Sequence, residues 1–134
     1  PAPMELGVGG PNRDVAAAWW QFVIEDVDAP WLVDMTLTRV NDGNGRWSLE
    51  ACEEAIAAAE LVAAAGRKPS PALEDNLLAW VEPHWPALWQ GSRRSALAVV
   101  ETVLTSSALH ARWQGTEDYD AWKKNLEDLK DRLS

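Results

Sequence analysis

Apolar residues recur at steps of three and four along most of the chain, which is the period of an amphipathic helix. In the first third, the apolar residues of this pattern are Val15, Trp19, Phe22, Val23 and Val27. Asn12 precedes them and is a favourable N-cap, because its side chain can accept a hydrogen bond from a free backbone N–H. We therefore expect a first helix that starts at residue 12.

A second, shorter helix is expected directly after the first. Asp28 offers a new cap, and Pro30 suits a first helical turn, where its missing N–H has no intrahelical partner to lose. The helix then runs from Trp31 to about Val40, although residues 37–40 also have β character. The glycine-rich loop that follows separates this helix from the next.

The clearest helix is the alanine-rich run LEACEEAIAAAELVAAAG, residues 49–66. Ser48 is its N-cap, and Gly66 is expected to end it in the left-handed conformation. Alanine has the highest helix propensity, and small side chains allow neighbouring helices to approach closely. The sequence therefore predicts that this helix lies at the centre of the fold.

Prolines divide the second half of the chain into shorter helical runs. Ser70 and Pro71 form a cap and first-turn pair, so one helix is expected from there to Trp80. Pro83 and Pro86 are expected to interrupt it, because a proline inside a helix removes a backbone hydrogen bond and clashes with the preceding turn. The helical pattern resumes at about residue 92.

The last helix has the most regular pattern. A short helical turn is predicted over residues 108–113, and Thr116 then caps the final helix. Its apolar residues alternate between steps of three and four: Tyr119, Trp122, Leu126, Leu129 and Leu133. Such a stripe docks on a core, and it is also a candidate seam for a homodimer.

These elements predict an all-α fold, a compact bundle of five to seven helices around the alanine-rich one. A chain of 134 residues suits a single core. We expect one helical domain over residues 12–134, preceded by a flexible or glycine-turn N-terminus over residues 1–11.

Tryptophan is the outlier of the composition, with nine residues against one Tyr and one Phe. Each indole removes a large area from water when it is buried, so several of them belong to the core. Trp80, Trp85 and Trp89 differ from the rest, because they cluster with His84 around the two prolines. They either fill a junction between helices or form a pocket or interface.

Charge is distributed unevenly along the chain. Residues 1–65 hold 11 acids and 3 bases, whereas residues 66–134 hold 10 acids and 9 bases. Nucleic acid is an unexpected partner for such a protein, since binding it requires a basic surface. The acidic half either is a solvated surface or binds a basic protein, and its candidate residues are Glu25, Asp26, Asp28, Asp34 and Asp42.

Few residues are suited to catalysis or to metal binding, and we expect no catalytic residue, no metal and no cofactor. The two histidines are His84 and His110. Glu82 lies close to His84 in a predicted proline-bounded loop, where the pair could provide a general base or two ligands. Motifs such as HExxH, the P-loop and G-x-S-x-G are absent.

The cellular compartment is expected to be the cytoplasm. The chain has one cysteine, Cys52, which fits a reducing environment. No apolar run approaches the roughly 20 residues that span a bilayer, and the first ten residues lack the features of a signal peptide. We therefore expect no membrane partner.

Three stretches resemble one bacterial family, catalogued as domain of unknown function 4259. Residues 6–19, LGVGGPNRDVAAAW, resemble its opening Trp-Gly-x-Gly-Pro-Phe-Asp-Asn-Asp run with two alanines and an aromatic. Residues 57–64 are similar to its central alanine-rich helix, and residues 107–113 resemble its Ser-Glu-Leu-x-x-x-Trp segment. The resemblance implies a bacterial, cytoplasmic, helical domain, and it implies no activity.

The sequence departs from the family pattern mainly at the N-terminus. Leu6 replaces the tryptophan, Gly10 and Pro11 replace Pro-Phe, residues 12–14 replace the acidic triplet, and Ala108 replaces a glutamate. If that polar turn is the functional site of the family, this chain has an altered copy of it.

Three functions follow in order of expectation. The first is a non-catalytic binding protein, of the immunity or antitoxin kind, that engages a basic protein through its acidic half. The second is a small-molecule binder with a tryptophan-lined pocket near Trp80, Trp85 and Trp89. The third is an enzyme that uses Glu82, His84 and Asp14.

Overall fold

A computed structural model describes residues 13–27, 29–42, 48–70, 73–106, 111, 114–117 and 119–134. Its α-helices are α1 (Arg13–Gln21), α2 (Trp31–Asp42), α3 (Leu49–Ala65), α4 (Asp75–Trp85), α5 (Gly91–Ser106) and α6 (Tyr119–Leu133). Two π-helical segments, π1 (Phe22–Val27) and π2 (Pro86–Gln90), continue α1 and join α4 to α5. In these ranges the chain thus forms five continuous helical rods and no strand, which confirms the predicted all-α bundle.

The alanine-rich helix α3 lies at the centre, as predicted. It packs against α1, α2, α4, α5 and α6, and Ala55 to Ala59 and Leu61 to Ala63 are fully buried. Ser48 begins the helix, because its Oγ accepts a hydrogen bond from the N–H of Ala51 at 3.2 Å. Alanine side chains on every side of the helix leave room for five neighbouring helices.

The end of α3 corrects one prediction. Gly66 has a φ of −80°, whereas the left-handed residue is Arg67, with a φ of 68°. The N–H of Lys68 donates to the carbonyl of Ala63 at 3.1 Å, which closes a Schellman turn around Arg67. Gly66 is needed for another reason, since the indole of Trp89 packs directly against it.

The first rod buries a stripe that sequence reasoning placed only in part. Ala16, Trp19, Trp20 and Val23 are buried. Trp20 also donates its indole N–H to the carbonyl of Ala57 in α3 at 3.1 Å. Phe22, predicted to belong to the apolar stripe, is 46% exposed, because it lies at the edge of the stripe centred on Trp19, Trp20 and Val23.

The second rod confirms a helix over residues 31–40 and excludes the strand alternative. Val33, Thr36, Leu37 and Val40 are buried against the bundle at helical spacing. The helix continues two residues beyond the prediction, to Asp42. The loop at residues 43–47 and the predicted cap Asp28 lie outside the described ranges.

Prolines do not divide the second half of the chain as predicted. The helix α4 runs through Pro83, and Pro86 begins π2, which leads directly into α5. A π-helical turn hydrogen-bonds to the residue five positions earlier, and such turns occur inside otherwise continuous helices. One rod therefore extends from residue 75 to residue 106.

The start of this rod also differs from the prediction. It begins at Asp75, after Glu74, whose side chain makes no capping hydrogen bond. The predicted cap, Ser70, instead lies in a turn, where its carbonyl accepts from the N–H of Leu73 at 3.1 Å. Pro71 falls outside the described residues.

The last helix confirms the predicted stripe. Trp122, Leu126, Leu129 and Leu133 are buried. Arg132 holds α6 to α3, because its Nη1 and Nη2 donate to the two carboxylate oxygens of Glu60 at 2.9 and 3.3 Å. The preceding helix predicted at residues 108–113 lies almost wholly outside the described ranges, as do residues 1–11.

None of the helices in the described ranges is both long enough and apolar enough to cross a bilayer.

Candidate functional site

Of the five acidic candidates, the structure describes the side chains of Glu25, Asp34 and Asp42, and their environments differ. Glu25 is exposed in π1 and accepts a hydrogen bond from Gln21 Nε2 at 3.1 Å. Asp34 is half-buried and accepts from Ser92 Oγ of α5 at 3.2 Å. Asp42 is exposed at the end of α2. Asp28 and the side chain of Asp26 are outside the described residues.

The helix α2 thus has three distinct sides. Its inner side is the buried stripe, and one flank is fixed to α5 by Asp34 and by Asn41, whose Nδ2 donates to the carbonyl of Ser95 at 3.1 Å. The outer side carries Trp31, Met35, Thr38 and Asp42, at steps of four, three and four. We call these four residues the α2 surface.

Large apolar side chains on the α2 surface are open to solvent. Trp31 is 58% exposed and Met35 is 42% exposed, and they lie one helical turn apart. Sequence reasoning missed them, although the helical period contains the signal: both positions fall two residues away from the buried Val33 and on the opposite side of the helix.

Acidic residues lie beside the α2 surface on the neighbouring helix α3. Partial burial raises the pKa of Glu54, the repulsion of Glu50 raises it further, and the positive charge of Arg39 on α2 lowers it. Arg39 therefore partly offsets the negative charge of Glu54. From residue 13 to residue 42 the sequence contains six acids and two bases, so the region is negative as a whole.

The three tryptophans around the prolines have different environments. Trp80 is half-buried and stacks on the imidazole of His84, with ring centroids 4.4 Å apart. Trp85 is 40% exposed. Trp89 packs against Gly66 and lines a small cavity at the start of α5.

His84 has a defined tautomer. Its Nδ1 lies 2.7 Å from the carbonyl oxygen of Trp80, and a carbonyl oxygen can only accept, so Nδ1 carries the proton. The neutral ring therefore has its free lone pair on Nε2. Glu82 is exposed two positions earlier on the same helix, and residues two apart on a helix do not face each other. The predicted proline-bounded loop is wrong, and with it the basis for pairing these side chains.

Two cavities are lined by charged residues. A groove of about 910 Å³ between α5 and α6 contains Glu101, Lys123, Glu127 and Lys130, and Lys130 Nζ lies 3.5 Å from Glu101 Oε1. The two glutamates and two lysines leave this groove without a net charge. A smaller cavity of about 320 Å³ is lined by Trp89, Gln90, Gly91, Arg93 and Arg94, and it contains no acidic residue.

Among the described residues, no group of three or more His, Cys, Asp or Glu side chains could hold a metal ion. Cys52, the one cysteine of the sequence, is buried in α3. Cys52 and its neighbours on α3 belong to the hydrophobic core.

Comparison with known proteins gives one match. No curated protein and no solved structure matches the chain. A family model described as domain of unknown function DUF4259 matches residues 10–125, a range that includes α1 to α5 and the first part of α6. The chain therefore belongs to the DUF4259 family.

Proposed function

We propose that this chain is a non-catalytic binding protein and that it engages a basic protein partner through the α2 surface. The observation that carries the proposal is the exposure of Trp31 and Met35 side by side, at 58% and 42%, on the acidic part of the chain. Tryptophan and methionine are enriched at protein interfaces, and large tryptophan contacts often dominate the binding energy.

The rest of α2 supports this role. Its inner stripe is buried and its Asp34 flank is hydrogen-bonded to α5, so the outer residues are presented on a helix that is held from two sides. Interfaces built on a rigid element lose less conformational entropy on binding. The α2 surface is thus suited to a partner that binds without reshaping it.

Charge supports a basic partner. Asp42 belongs to the α2 surface, and Glu25 is exposed shortly before Trp31 in the sequence. Glu50 and Glu54 lie on the neighbouring helix α3. Opposite charge accelerates encounter, and apolar anchors slow dissociation. Neutralisation of a basic toxin by an immunity protein or antitoxin uses this combination.

The test uses basic proteins encoded beside this gene, each purified and titrated against the chain by calorimetry. For the true partner, Trp31→Ala weakens binding by about 30-fold or more, the loss expected for an interface anchor of at least ~2 kcal/mol. Trp85→Ala is the matched control, because it removes another exposed indole from a different rod. Equal losses for the two variants would contradict the α2 surface as the binding site.

Salt separates the charge component from the apolar one. Association should slow as the salt concentration rises from 50 to 500 mM, since screening weakens attraction between exposed charges (Debye length about 10 Å at 0.1 M). Asp42→Asn should reduce this dependence, whereas Asp120→Asn on α6 should not. A complex insensitive to salt would exclude the basic partner.

A further inference from the structure

The cavity of about 320 Å³ at the junction of π2 and α5 is the second feature of the molecule that is suited to a ligand. It is lined by none of the residues of the α2 surface. Its volume is at the lower end of the range for small-molecule sites.

Trp89 and Arg93 form a fixed wall of this cavity. The indole of Trp89 packs against Gly66, and the guanidinium carbon of Arg93 lies 5.4 Å from the centre of the indole ring. Arg93 Nε also donates to the carbonyl of Leu133 at 2.7 Å. The stacked guanidinium is therefore held in place through Nε, and its two terminal nitrogens remain for another acceptor.

Positive charge in this cavity is not neutralised within the described ranges. Arg132 pairs with Glu60 and Asp128, and Lys130 pairs with Glu101. By contrast, Arg93 and Arg94 have no carboxylate partner among the described residues. The two adjacent arginines therefore give the lining of this cavity a net positive charge.

We propose that this cavity binds an oxyanion, a phosphate or carboxylate group of a small molecule, between Arg93 and Arg94. The planar guanidinium of Arg93 matches the geometry of two oxyanion oxygens. Arg94, which is exposed and unpaired, supplies the second charge. This site is independent of the α2 surface, so either proposal can fail without the other.

The experiment is a titration of the isotope-labelled full chain with inorganic phosphate and, separately, with acetate, followed by NMR. Sodium chloride at equal ionic strength is the reference. Saturable shifts are expected at the Nε–H of Arg93, the indole N–H of Trp89 and the backbone N–H of Gly91. Tight phosphate binding with weak acetate binding identifies a phosphate ligand, and the reverse identifies a carboxylate.

Variants then locate the site. Arg94→Gln should weaken binding about tenfold or more, as expected for the loss of one charge-assisted hydrogen bond. Lys124→Gln removes an equal charge from exposed α6 and should leave the affinity unchanged.

Three outcomes would overturn the proposal. One is a set of shifts that chloride reproduces at equal ionic strength, which means an adventitious ion only. Another is an affinity that falls equally in Arg94→Gln and Lys124→Gln, which means general attraction to surface charge. The last is unchanged binding in Arg94→Gln.

Discussion

The indole of Trp89 lies where the side chain of residue 66 would be if that residue were not glycine. A Cβ atom on Gly66 would stand 2.6 Å from Cε3 and 2.7 Å from Cη2 of Trp89, well inside van der Waals contact. This close approach joins the end of α3 to π2. It also sets the position of the ring on which Arg93 stacks.

Gly66→Ala should therefore destabilise the protein by about 1–3 kcal/mol, the range for an overpacked site. The φ of −80° at this position suits any residue, so the whole loss comes from the contact with Trp89. Urea unfolding followed by circular dichroism measures it. In a Trp89→Ala background the same change should cost much less, and equal losses in the two backgrounds would show that the contact is not the cause.

Arg67→Gly should have the opposite effect. Arg67 holds a φ of 68°, which costs an L-residue roughly 1 kcal/mol and costs glycine little. Part of the gain is offset by the greater freedom of glycine in the unfolded chain. We expect a net stabilisation of up to about 0.5 kcal/mol in the same unfolding assay, whereas Lys68→Gly, one residue later, should not stabilise.

The pH dependence of stability should contain a contribution from Glu60. Burial raises the pKa of this carboxyl, although the hydrogen bonds from Arg132 oppose the effect. A raised folded-state pKa means that Glu60 contributes its full stabilisation below the ordinary glutamate pKa and loses it as the pH rises through the raised value.

Glu60→Gln removes this titrating group, so the free energy of unfolding of the variant should fall less steeply across that range than that of the wild type. Unfolding measured at intervals from pH 4 to pH 8 gives the two curves. The control is Glu127→Gln, which changes an exposed residue of α6. Its free energy of unfolding should vary with pH as that of the wild type does. Parallel curves for all three proteins would contradict the prediction.

Tryptophan substitutions should separate core from surface. Trp122 is fully buried, whereas Trp31 is 58% exposed. Trp122→Ala should cost about 3–5 kcal/mol, as expected for an emptied core position, and Trp31→Ala should stay within about 0.5 kcal/mol of the wild type. A large loss in Trp31→Ala would mean that this residue serves the fold and not a partner.

Local signals were sufficient to predict much of the fold. Ser48 accepts the hydrogen bond that its position before an apolar run indicates, and the stripe from Trp122 to Leu133 is buried as its spacing requires. Both depend on residues within one or two turns of each other. The sequence pattern therefore contains the physical cause in full.

Predictions failed where a distant residue decides the local structure. Gly66 is of the residue type that commonly ends a helix in the left-handed conformation. Here its small size instead makes room for the indole of Trp89, which is 23 positions away. Pro83 and Pro86 are residues that commonly interrupt a helix. Here the rod continues through a π-helical turn and packs against α3. A single sequence contains no record of these contacts.

The candidate sites follow the same division. Trp31 and Met35 could have been found from the helical period of α2 alone. The excess of positive charge at Arg93 and Arg94 could not, because it depends on which carboxylates the fold has already assigned to Arg132 and Lys130. The predicted acidic face depends on such contacts too. Asp34, one of its five residues, is half-buried and accepts a hydrogen bond from Ser92.

Seven of the eleven residues from 55 to 65 are alanine, and this has an entropic consequence for the centre of the bundle. Alanine has no rotamers, so ordering the middle of α3 costs almost no side-chain entropy. The residues that must each settle into one rotamer are the larger side chains of the surrounding helices. The innermost layer of the protein is therefore also the layer with the least side-chain freedom to lose.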